Sequence, residues 1–95
     1  MRKKEHSSSD VIMMQQKAIA LAVKFRDDYN QAARSGRFSA EELEDALEDA
    51  GVVNDWIRKA TEAYLKNRMN QAYELFFKSA VISRQLSRQL TGQYR

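Results

Sequence analysis

Between Val11 and Ala32 apolar side chains recur at steps of three and four: Val11, Met14, Ala18, Leu21, Ala22, Phe25, Tyr29 and Ala32. That spacing lays them along one stripe of an α-helix. Ile12, Ile19 and Val23 widen the stripe beyond a narrow coiled-coil seam. Ser9 or Asp10 offers an oxygen to the orphan amides of the first turn. Gly36, after Ser35, suits a left-handed C-cap. The pattern therefore predicts a first helix of about seven turns, roughly 40 Å long.

Gly36-Arg37-Phe38 reads as a connection, and Ser39 with Glu42 three residues later forms a capping-box signature. Leu43, Ala46, Leu47 and Ala50 make a narrow stripe on the helix that follows, and Gly51 predicts its end. Val52 and Val53 then read as a short apolar link, with Asn54 or Asp55 capping another helix from Trp56 onward. Trp56, Ala60 and Ala63, with Tyr64 beside them, define the next stripe. Continued in phase, it meets Asn67, Asn70, Gln71, Glu74 and Lys78, all polar. A new stripe starts at Leu65 and Met69 and runs through Ala72, Phe76 and Ala80. The phase slip falls on Lys66-Asn67-Arg68-Met69-Asn70 and predicts a tight helix–helix turn there, against one continuous helix with two working faces. The last helix carries Leu75, Phe76, Ile82, Leu86 and Leu90, and also Tyr73, Phe77 and Val81. Apolar on more than one side, it is either central in its own domain or covered by another chain.

The expected architecture is all-α: a small bundle of three or four helices over residues 9–95, behind a flexible basic tail over 1–8. Its 95 residues and 11.0 kDa allow a single domain with one modest core. The absence of Cys excludes a disulfide scaffold, a thiolate metal site and a cysteine nucleophile. No apolar run approaches the ~20 residues of a membrane span, and no signal-peptide pattern is convincing. A cytoplasmic location without membrane association is the expectation.

Catalytic chemistry finds little to work with. The acids of the middle segment pair at i,i+4, as Glu41 with Asp45 and Glu44 with Glu48, but the lone His6 lies in the tail, so no Glu-x-x-His metal constellation can form. No triad, calcium loop or glycine-rich phosphate cradle is present. The expectation is a non-enzyme without metal or cofactor.

Charge is unevenly distributed. Residues 1–37 carry eight bases and four acids, residues 38–55 seven acids and no base, and residues 56–95 eight bases and two acids. The acidic second helix and basic last helix are complementary, within one chain or between chains. Tyr73 and Phe77 at i,i+4, followed by Val81, Arg84 and Arg88, form a candidate protein-binding face, because aromatic plus Arg is the composition of binding hot spots. Ser83-Arg84-Gln85-Leu86 repeats at once as Ser87-Arg88-Gln89-Leu90. That repeat stacks Arg84 above Arg88, so a second candidate is nucleic acid gripped by Arg84, Gln85 and Arg88, with Arg2, Lys3 and Lys4 of the tail adding phosphate contacts.

Trp56, Ala60, Ala72, Phe76 and Ser79 match the aromatic and small positions of a tetratricopeptide helical hairpin, and residues 53–84 resemble one such hairpin. The pattern departs at Lys59, Ala63, Asn67 and Arg84, and no second copy lies upstream. The resemblance implies a scaffold or adaptor that binds peptides or helices, with the matching residues as packing positions. The sequence thus points to a small helical adaptor, chaperone-like or regulatory protein. It would bind another protein or itself, most simply as a homodimer, with a nucleic-acid-binding regulator as the alternative.

Overall fold

The computed structural model describes residues 5–92. It contains three helices, α1 (Ser8–Ser35), α2 (Ala40–Leu65) and α3 (Met69–Thr91). Arg2, Lys3 and Lys4, and with them half of the tail expected over 1–8, lie outside the described residues. Ser8 is already helical.

α1 begins earlier than the Ser9 or Asp10 cap expected from sequence. The Ser7 hydroxyl accepts from the Asp10 amide, and the Asp10 carboxylate accepts from the Ser7 amide. Asp10 thus serves as the reciprocal partner of a capping box instead of as the cap. Gly36 closes α1 with φ 75°, the left-handed conformation in which a Cβ is costly. Ser39 and Glu42 form the expected box at the start of α2.

α2 does not end at Gly51. It continues to Leu65, so the four-helix alternative gives way to three, and Val52 and Val53 are helical instead of a link. The physical reason is packing. Ala46, Val53 and Ala60 are buried at steps of seven, one uninterrupted seam through the glycine. A helical glycine costs only about 1 kcal/mol relative to alanine, less than a break in that seam. Asn54 and Asp55 therefore cap nothing. Asp55 instead sits in mid-helix, paired with Arg58 and with Lys59 at 3.2 Å.

The turn expected at 66–70 is present. Asn67 adopts φ 62°, the Arg68 amide donates to Ala63 O at 2.8 Å, and the Asn67 amide donates to Tyr64 O at 3.0 Å. This pair of hydrogen bonds is a Schellman closure. Asparagine replaces the usual glycine because its short polar side chain tolerates the left-handed region.

The helices run up, down and up, so α1 and α3 are parallel. At one end the His6 amide donates to Asn70 Oδ1, and at the other the Arg37 guanidinium reaches Leu90 O. α3 packs along both other helices, whereas α1 and α2 meet each other sparsely. The buried seam of α1 is Val11, Ala18, Phe25 and Ala32, again seven apart. α3 contributes Ala72, Phe76, Ala80, Leu86 and Leu90, together with Ser79, Ser83 and Ser87. These small side chains let α3 sit deep between its neighbours. The Ser79 hydroxyl donates to Leu75 O, while those of Ser83 and Ser87 have no partner among the described residues.

Seven of the thirteen buried hydrophobic residues are alanine, so the interior is thin. The shape is a rod of 52 × 24 × 20 Å with a radius of gyration of 15.1 Å, against about 12 Å for a compact chain of this length. Its accessible surface is 6947 Å², against roughly 5,600 Å² for a compact monomer of this mass.

Candidate functional site

The large apolar side chains missing from the interior are on the surface. Ile12, Met13, Ile19 and Val23 of α1, Leu47, Val52 and Leu65 of α2, and Phe77 and Val81 of α3 are all exposed. Two places gather five of them.

The larger is a groove of about 330 Å³ between α1 and α2. Phe25 and Val53 form its floor, and both also pack in the core cluster with Leu86 and Leu90 of α3. The groove therefore opens on the face away from α3. Ile19, Val23 and Arg26 stand along its α1 side, and Leu47, Ala50, Asn54 and Ile57 along its α2 side. Leu47 is 58% exposed and Val23 51%. Three and four residues from Leu47, next to it on the helix surface, are Glu44 and Gly51, both exposed.

The smaller place is the outer face of α3. Phe77, Val81 and Arg84 line a shallow dip of about 60 Å³ with Met14 and Lys17 of α1. Arg84, Gln85 and Arg88 are exposed, and among the described residues neither arginine enters an ion pair. Of the five residues expected to form a protein-binding face, Phe77, Val81, Arg84 and Arg88 are therefore open to solvent. Tyr73 is half-buried: its ring stacks on His6, with centroids 3.7 Å apart and planes 7° from parallel. His6 is held in turn by the hydrogen bond its backbone amide donates to Asn70 Oδ1, and its ring lies 3.9 Å from the Asp10 carboxylate. No periodicity in the sequence signals that cover, because it pairs residues far apart in the chain.

The complementary charges of α2 and α3 do not pair within the chain. Every ion pair among the described residues is local: His6 with Asp10, Lys24 with Asp28, and Asp55 with Arg58 and Lys59. Glu41, Glu42, Glu44, Asp45, Glu48 and Asp49 enter none of them. The Arg58 side chain, and after it Lys59, holds the Asp55 carboxyl below its ordinary value of 3.8, and Asp55 raises Arg58 in return.

Among the described residues no three His, Asp or Glu side chains converge on a possible metal position, and no helix is long and apolar enough to cross a membrane. The α1/α2 groove is the feature that the sequence conceals. Leu47 reads as a buried stripe position, yet the true seam of α2 passes through Ala46 and Val53 and leaves Leu47 on the groove's edge. The clue was the seven-residue spacing of alanine and valine through Gly51. Compared with known proteins, the chain matches no family model, no curated protein and no solved structure.

Proposed function

We propose that this protein is a non-enzymatic helical module that binds proteins by helix packing and associates with itself as a homodimer, in an adaptor, chaperone-like or regulatory role. The observation that carries this reading is the distribution of side chains: ten of the sixteen buried residues are alanine or serine, while Ile19, Val23, Leu47 and Phe77 stand 44–58% exposed. Fully burying a side chain of this kind is worth about 1.5–3 kcal/mol. Covering the exposed half of several of them favours association, against the entropic cost of joining two chains. Apolar anchors then give affinity, and the unpaired acids of α2 and bases of α3 give orientation. A dimer unfolds with a midpoint that rises with protein concentration. The expected result is a clear rise in thermal midpoint between low-micromolar and high-micromolar protein; a midpoint independent of concentration contradicts dimerisation.

A second reading, a nucleic-acid-binding regulator, is favoured by one observation. Arg84, Gln85 and Arg88 are exposed on successive turns of α3, and neither arginine enters an ion pair among the described residues. Phosphate contacts release counterions, so such binding falls steeply with salt. Retention of DNA or RNA at low salt, lost on Arg84→Ala with Arg88→Ala, supports it; no retention removes it.

A further inference from the structure

Gly51 is out of place in a monomer. It lies in the middle of α2, on the exposed surface, with an ordinary helical backbone. A Cβ built there meets nothing within 4 Å. Glycine in a helix interior is less favourable than alanine, and among the described residues no contact uses the missing side chain. Its surface neighbours Leu47 and Asn54, four residues before and three after, line the α1/α2 groove. A glycine beside an apolar groove is what the close approach of another helix requires.

The two rims of the groove differ in charge. On the α1 side Arg26, the one charged residue of the lining, follows Ile19 and Val23, with exposed Asp27 beside it. Glu44 and Glu48 flank Leu47 on the α2 side. α1 and α2 are antiparallel arms leaving the Gly36–Ser39 connection. Arg26 lies ten residues before Gly36 and Glu48 nine after Ser39, so the two stand at matching heights.

We infer that the occupant of this groove is the same groove of a second copy, related by a two-fold axis running along the helices. The inference rests on the self-association reading above and specifies its surface. Such an axis lays α1 of one copy over α2 of the other at the same height. The Arg26 rim then meets the partner's acidic rim, twice by symmetry, and each Gly51 admits the partner's α1. Two helices of about 40 Å, side by side at 8–10 Å, present a face roughly 20 Å wide. That is about 800 Å² from each copy, the area a partner contributes to a standard stable interface. The assembly is layered: α3, then the α1/α2 pair, then the partner's pair, then its α3.

Light scattering on the purified full-length chain and its variants, with circular dichroism on the same samples, tests the arrangement. Wild type is expected to be dimeric. Gly51→Gln is expected to weaken association at least ten-fold with helicity undiminished, since the free subunit has room for the side chain. Phe77→Glu, outside the groove at the α1/α3 junction, is expected to leave the dimer intact. Arg26→Glu is expected to loosen it, and adding Glu44→Lys and Glu48→Lys to that chain to restore it. A dimer that withstands Gly51→Gln but falls apart with Phe77→Glu places self-association on α3 and overturns this inference alone. A failure of the triple charge swap to restore the dimer overturns the two-fold pairing. A monomeric wild type overturns both this inference and the reading it rests on.

Discussion

Asn67 carries the sharpest local conformational demand among the described residues, as the one non-glycine with positive φ. Asn67→Gly is expected to be neutral or slightly stabilising. Asn67→Val is expected to cost about 1–2 kcal/mol, because a β-branched side chain clashes in the left-handed region; urea unfolding of the pair measures the difference. Ser83 is fully buried with its hydroxyl unpartnered among the described residues. Leaving a buried polar group unsatisfied costs about 1–3 kcal/mol, so Ser83→Ala is expected to raise stability by about 1 kcal/mol on the same urea curves. Asp55 adds a pH dependence. Its carboxyl is held below 3.8 by Arg58 and then Lys59, so its contribution to stability is present above 3.8 and is lost as the pH falls from there. Asp55→Asn should therefore lower the thermal midpoint at neutral pH, and the gap to wild type should close as the solution is acidified below the ordinary carboxylate value. An undiminished gap in acid contradicts the ion-pair account.

At the scale of the element, the question that separates sequence from structure is the continuity of α2. The seven-residue recurrence of Val11, Ala18, Phe25 and Ala32 was visible in the periodicity, as were the caps at Ser39 and Gly36 and the turn at Asn67. These are local signals, written in neighbouring residues. Gly51 followed by two valines gives an equally strong local signal for a helix end, and it misleads. The tertiary seam of Ala46, Val53 and Ala60 against α3 outweighs a single residue's propensity. The groove was hidden for the same reason, since a helix broken at Gly51 has no continuous face for Leu47 and Asn54 to share. The stacking of His6 on Tyr73 joins residues far apart in the chain, and no local pattern encodes it. Amide hydrogen exchange tests the element directly: protection is expected to run unbroken from Ala50 to Trp56, whereas fast exchange at Val53 to Asp55 marks the break that the glycine suggests.

At the scale of the molecule, a rod of 52 Å buries mostly small side chains and leaves Ile19, Val23, Leu47 and Phe77 about half exposed. α3 covers one side of the α1/α2 pair and leaves the other open. Exposed Leu47 and Gly51 lie on or beside that open side, and among the described residues the acids Glu41 to Asp49 of α2 enter no ion pair. The central expectation is that a second copy seals that side. Sedimentation equilibrium of the wild-type chain over a micromolar concentration series tests this most directly. The account predicts a mass of twice 11.0 kDa, dissociating toward one chain only on dilution. A single species of 11.0 kDa throughout the series contradicts it.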